Sequence, residues 1–179
     1  MLETERLWLE PLRVAHAAEM FELLSDERIY RFVPHDPPSS LPHVEARFQR
    51  LEARTSPIGD EVWLNWIARV KSDGKCVGRV EATLRPDRSA YFAYEISPAL
   101  WGRGYATEAC GRVIAALFQE HRIVRIVAEV DTRNEASIRL LERLGFERGA
   151  LRRDADFFKG VASDEFTYTL DSSDWRRPS

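Results

Sequence analysis

EISPALWGRGYATEA, residues 95–109, joins an alternating, strand-like segment to a long helical pattern. Gly102 and Gly104 bracket Arg103, and the small Ala106 follows. Glycine permits backbone conformations and close approaches that a side chain prevents. Several backbone amides can then point into one cavity at a helix N-terminus, where unpaired donors and the helix dipole favour an anion such as a pyrophosphate. Arg103 can add a positive charge at the rim. A plain tight turn explains the same glycines, and the loop is neither a dinucleotide-binding fingerprint nor a Walker A loop, because the third glycine and the Gly-Lys-Ser/Thr ending are missing.

Upstream of this loop, EVWLNWIARV (61–70), CVGRVEATL (76–84) and AYFAYEI (90–96) read as three strands linked by tight turns, one centred on Asp-Gly. Further upstream, ERLWLE (5–10) alternates as a first strand that Pro11 ends. Val14, Ala17, Ala18, Phe21 and Leu24 then recur at helical spacing, and a second helix is expected over 42–54 with Val44, Phe48 and Leu51 on one face. Downstream, a long helix starts near Gly104. IVRIVAEV (123–130) is a β-branched run expected to be covered on both faces, and a helix covers about 136–144 with Gly145 as its cap. Two more strands follow at about 148–157 and 164–170, then a polar tail over 171–179 that is expected to be flexible. The order is β-α-α-β-β-β-α-β-α-β-β. It predicts one α/β domain over 1–179, with a mixed, mostly antiparallel sheet flanked by helices.

The second informative segment, VDTRNEASIRLLERLGFE (130–147), places Asn134 and Ser137 at the start of the short helix. Asn134 can cap that helix. Ser137 can face a neighbouring site, or simply solvent.

Composition narrows the class. The 179 residues suit one domain with a sizeable core. Hydrophobic residues make up 44% and charged residues 31%, which fits a globular chain and excludes disordered or fibrous types. The net charge of −3 provides no electrostatic reason to expect nucleic acid. The N-terminus has no basic, apolar leader, and no apolar run spans a bilayer, so a cytoplasmic protein without a membrane partner is expected. The 2 cysteines, Cys76 and Cys110, fit buried thiols better than a disulfide scaffold. His16, His35, His43 and His121 form no metal-ligand pattern.

Together, ETERLWLEPL (3–12), YEISPALWGRGYATEA (94–109), VDTRNEASIRLLERLGF (130–146) and DEFTYTLDSSDW (164–175) resemble the GCN5-related N-acetyltransferase superfamily. The resemblance is greatest to the branch containing the ribosomal-protein N-terminal (alanine/serine) acetyltransferases. It implies a sheet whose fourth and fifth strands, about 90–96 and 123–130, splay apart to admit acetyl-coenzyme A. By resemblance the cofactor contacts are Ile96, Ser97, Trp101, Gly102, Arg103, Gly104, Tyr105, Ala106, Thr107, Asn134 and Ser137. Trp101 stands where the superfamily pattern begins with Gln or Arg, so it offers an apolar surface in place of a charge.

The implied reaction is direct attack of an amine on the thioester, with no metal. The amine must lose its proton, and the carbonyl oxygen needs a donor, for which a backbone amide near Glu95–Ser97 is available. Ser137 is the candidate donor to the leaving thiolate. Glu95 leads as general base, with Glu81 and Glu129 as runners-up; each also reads as a solvated strand-face charge, and a water chain is the further alternative. Tyr30, Phe32 and Glu81 are the candidate acceptor contacts, although Tyr30 and Phe32 also read as anchors of a surface loop. The acceptor is expected to be a protein or peptide α-amine, with a small-molecule amine or a non-catalytic acyl-coenzyme A-binding module as alternatives. A homodimer fits the family, with no sequence feature marking an interface.

Overall fold

Adjacent residues Trp66 and Ile67 pack into different cores, and that division organises the molecule. The computed structural model describes residues 1–176. Their order is β1 (Leu2–Glu3), β2 (Leu7–Pro11), α1 (Ala17–Leu24), α2 (Leu41–Glu52), β3 (Val62–Val70), β4 (Cys76–Leu84), β5 (Ser89–Ile96), α3 (Tyr105–Gln119), β6 (Arg125–Asp131), α4 (Glu135–Arg143), β7 (Glu147–Phe158) and β8 (Val161–Asp171). Short 3-10 turns occupy Val14–His16, Glu27–Tyr30 and Pro98–Leu100. The expected order is present, with the two-residue β1 added at the edge.

All eight strands join one sheet in the order β1-β2-β3-β4-β5-β6-β8-β7. Every pairing is antiparallel except β5 with β6. Side chains alternate across a strand, so Trp66, Val80 and Phe92 face α3 and α4, while Ile67 faces α1 and α2. In α3, Ala109, Cys110, Val113, Ala116 and Leu117 are fully buried. Their three- and four-residue spacing is the apolar stripe that seats the helix on the sheet. The C-terminus of α4 closes as a Schellman motif. Gly145 takes φ +91°, its N–H donates to Glu142 O at 3.1 Å, and the Phe146 N–H donates to Leu141 O at 3.0 Å.

Two expectations need correction. β6 is not covered on both faces: Ile126, Ala128 and Val130 are buried, whereas Arg125 and Glu129 are exposed, because helices cover this strand from one side only. The segment after β8 is anchored as far as it is described, since Trp175 packs on Phe118 of α3 with ring centroids 5.6 Å apart. Residues 177–179 of the expected tail lie outside the described residues.

Candidate active site

β5 and β6 run side by side for only three residue pairs, Ser89–Arg125, Ala90–Ile126 and Tyr91–Val127. Beyond Tyr91 they share no register, although β5 continues to Ile96 and β6 to Asp131. The sheet therefore opens between its fourth long strand and the next one, at the end where both strands run into helix-bearing loops. A bulge helps to aim β5. Ala68 pairs with Gly78 but Arg69 pairs with Cys76, which leaves Val77 extra, and the Ser97 N–H donates to Val77 O at 2.8 Å. Gly78 adopts φ +146°, and a Cβ there would sit 2.0 Å from Glu95 O. Only glycine allows this approach.

The loop after β5 carries Gly102 at φ +75° and Gly104 at φ +81°, and Gly104 is the N-cap of α3. Among the described residues, no N–H from Gly102 through Thr107 has a protein hydrogen-bond acceptor. The loop is exposed, and Tyr105 to Thr107 are half-buried. Six successive donors thus lack a protein partner at the positive end of a 15-residue helix, a position whose unpaired amides suit an anion. Trp101 is 52% exposed, and its Nε1–H donates to Ile96 O at 2.9 Å, so the apolar ring is held over the start of the loop.

On the helix-bearing side of the opening, Tyr94 Oη lies 2.5 Å from Ser137 Oγ, linking β5 to α4. Burial, with the Cys110 thiol adding to it, pushes the Tyr94 phenol well above its ordinary value despite the Ser137 bond, so this hydroxyl stays protonated and able to donate. Asn134 caps α4, its Oδ1 accepting from the Ser137 N–H at 3.2 Å. That leaves its side-chain amide N–H groups for another partner. The turn before it is nailed down by buried Asp131, which accepts from the Arg133 backbone N–H at 2.8 Å and from Ser163 Oγ at 2.7 Å.

On the opposite face of the sheet, Arg79 is 2% exposed. Its Nη2 lies 2.9 Å from Glu81 and 3.0 Å from Glu95, its Nε donates to Glu95 at 3.0 Å, and its Nη1 donates to Asn65 Oδ1 at 3.1 Å. Burial opposes the guanidinium charge, and Glu95 and Glu81 more than offset it, so the Arg79 pKa is raised. Tyr30 is buried beside this group, and burial, followed by the charge of Glu95, pushes its phenol up to about 12. The Tyr30 segment is strapped from across the sheet. Lys159, at the tip of the β7–β8 hairpin, donates to Tyr30 O and, at 3.1 Å, to Val33 O.

The structure therefore brings Glu81, Glu95 and Tyr30 together, and Ser137 to Tyr94. It sets two candidates apart. Phe32 is half-buried under Arg31, whose guanidinium lies 5.0 Å from the ring centroid, and Glu129 is exposed on the other arm of the opening, 3.8 Å from Arg152. Of the amides near Glu95–Ser97, that of Ser97 is already taken by Val77 O. Sequence reasoning missed Tyr94, Arg79 and Gly78. A buried arginine in a strand is written like any exposed one, and only the paired carboxylates two and sixteen residues on hint at its burial. Among the described residues, no three His, Cys, Asp or Glu side chains are grouped to hold a metal ion, and no helix is long and apolar enough to cross a membrane.

Residues 6–147 match the acetyltransferase (GNAT) domain family. The chain belongs to that family. The GNAT fold is also shared with solved structures. One is a spermidine N-acetyltransferase from Vibrio cholerae in complex with CoA and spermine, at TM-score 0.83 and 20% identity, covering 96% of this chain and 98% of that one. Another is RimL, a ribosomal L7/L12 α-N-protein acetyltransferase in complex with coenzyme A, at TM-score 0.84 and 16% identity, covering 94% and 95%. In sequence, the chain is 26% identical to the uncharacterized N-acetyltransferase YoaA of Bacillus subtilis, over 95% of this chain and 96% of that protein. This GNAT domain is an acetyl-CoA-dependent N-acetyltransferase, and its residues fit that cofactor: the six free amides match a diphosphate and the strand opening matches an extended arm.

Proposed function

We propose that this GNAT enzyme acetylates a single primary amine on its acceptor, with the α-amine of a protein or peptide N-terminus as the preferred class. The observation that carries this reading is the charge of the Arg79 cluster. Two carboxylates share one buried guanidinium, leaving a net charge of about −1 at the acceptor face. That complements one ammonium. A polyamine brings two or more further charges, for which the cluster holds no matching carboxylates.

Bound acetyl-CoA supplies an activated acetyl thioester. The amides of Gly102 to Thr107 would hold its diphosphate, the Asn134 side-chain amide, Ile96 and Ser97 would hold the arm, and Trp101 would cover the loop. Glu95, held in place by the Arg79 guanidinium, docks the ammonium and takes its proton. Ser137 would donate a hydrogen bond to the departing sulfur, and Tyr94, protonated and hydrogen-bonded to Ser137, would orient that hydroxyl while the thiolate takes its proton from solvent. Tyr30 and Glu81 border the acceptor. The ribosomal N-terminal branch suits this reading, and RimL is named for such a substrate. The spermidine enzyme of equal fold likeness represents the competing small-amine reading.

The test is CoA-thiol release with the purified protein, run against an N-terminal peptide library and a polyamine panel, with products located by mass spectrometry. Acetylation at peptide α-amines is expected. Turnover confined to polyamines refutes the acceptor assignment, and CoA binding without amine-dependent thiol release favours a non-catalytic module.

A further inference from the structure

The N-terminal segment ETERL takes no part in the reaction outlined above, yet it is bonded to the anion loop from a hundred residues away. The Arg6 Nη1–H donates to Arg103 O at 3.0 Å. The Arg6 Nε–H donates to Glu108 Oε2 at 2.6 Å, and its backbone N–H to Glu108 Oε1 at 2.8 Å. The guanidinium lies 4.7 Å from the centroid of the Tyr105 ring. Arg6 is itself held from behind, because its carbonyl accepts from the Lys71 N–H at 2.8 Å. Thr4 completes the latch: its hydroxyl donates to Glu108 Oε1 at 2.5 Å, and its oxygen accepts the Leu7 N–H at 2.9 Å.

Two consequences follow for the loop. A trans peptide is planar, with its C=O and N–H on opposite sides. Arg103 O and the Gly104 N–H belong to one such plane, so pinning the carbonyl toward Arg6 turns the Gly104 N–H the other way. Gly104, free of a Cβ and at φ +81°, cannot define that orientation by its own sterics. The second consequence is electrostatic. Glu108 sits in the first turn of α3, where its negative charge would repel a bound anion. Burial opposes that charge, but the Thr4 hydroxyl and the Arg6 N–H and guanidinium together keep the Glu108 carboxyl below its ordinary range, so it stays ionised and needs its counter-ion.

We propose that Arg6 is a positioning residue for acetyl-CoA: it orients the 103–104 peptide so that the Gly104 N–H enters the diphosphate cradle, and it cancels the charge of Glu108 beside that cradle. The inference rests on reading Gly102–Thr107 as the cradle. Arg6 acts through the loop and touches no reacting atom. Lysine cannot replace it, because one ammonium does not span a carboxylate and a carbonyl as the guanidinium fork does.

Isothermal titration with CoA, on wild type, Arg6→Gln, Arg6→Lys and Glu108→Gln, tests the proposal without needing the acceptor. Amide NMR shifts at saturating CoA and the melting temperature of the free protein accompany each titration. Wild type binds. Arg6→Gln weakens binding by about 10-fold or more, the loss expected for one charge-assisted hydrogen bond. Its Gly104 amide no longer shifts on CoA addition, while those of Ala106 and Thr107 still do. Arg6→Lys recovers only part of the affinity, and Glu108→Gln stays within about three-fold of wild type because Arg6 still holds Arg103 O. Wild type that fails to bind CoA overturns the cradle reading itself. Binding by wild type together with an Arg6→Gln affinity within two-fold and an unchanged Gly104 shift overturns the role of Arg6 alone. Loss of all six amide shifts alongside a large fall in melting temperature in both Arg6 variants also overturns it, in favour of a purely structural latch.

Discussion

Replacing Arg79 with Met removes the cation that Glu81 and Glu95 share while keeping most of the side-chain volume. Deleting one partner of a buried ion pair costs about 3–5 kcal/mol, because a desolvated charge is left uncompensated. Here the stranded side chains keep 21% exposure at Glu95 and 34% at Glu81, so water reaches them and the cost falls at the lower end, about 3 kcal/mol. For a chain of this length that lowers the melting temperature by roughly 6–12 °C. Urea melts at neutral pH measure the effect as a lower midpoint with an unchanged slope. The decisive comparison is the triple variant Arg79→Met/Glu81→Gln/Glu95→Gln. It removes the stranded charges and is expected to recover at least half of the loss, since a buried ion pair replaced as a whole is often neutral. A single-variant loss under about 1 kcal/mol, or a triple variant no more stable than the single one, refutes the view that Arg79 is the buried counter-ion of the acceptor face.

Gly78→Ala forces a Cβ to within 2.0 Å of Glu95 O and so displaces the end of β5; a stability loss of about 3 kcal/mol is expected in the same melts, and a wild-type midpoint contradicts the close approach. Ser137→Ala lowers kcat by about 10- to 100-fold and leaves the Kd for CoA nearly unchanged, whereas unchanged turnover removes Ser137 from the donor role. For Asp131, burial opposes ionisation, but the Arg133 and Ser163 hydrogen bonds hold the folded-state pKa below the ordinary 3.8. A depressed carboxyl stabilises fully above its unfolded-state pKa and loses that contribution as pH falls through the folded one. Asp131→Asn should therefore cost about 2 kcal/mol at neutral pH, with the gap from wild type narrowing toward pH 3; a gap that stays constant with pH contradicts the assignment.

The parts legible in the sequence are those whose physics is local. Strand alternation in CVGRVEATL and the helical stripe of α3 are periodicities within one element, and both elements form where expected. Gly104 and Gly145 mark helix ends because a positive φ is required at one residue, and Asn134 caps the helix it precedes. The acidic candidates were visible as residue types, but their roles were not. Glu95, Glu81 and Glu129 look alike in sequence, and the structure separates them by whether Arg79 or Arg152 stands opposite.

By itself the sequence determined the order of elements, the glycine turn that starts α3 and the short capped helix, because dihedral preference and side-chain period act over a few residues. Only the tertiary structure decided which distant groups meet. Tyr94 and Ser137 are 43 residues apart, and Arg6 and Glu108 are 102 apart. Their pairing depends on where β5 parts from β6 and on how α3 lies against the N-terminal hairpin. The burial of Arg79 was set in the same way, by α1 and α2 folding over one face of the sheet, so that a residue with the signature of a solvated strand charge became the hidden counter-ion of Glu81 and Glu95.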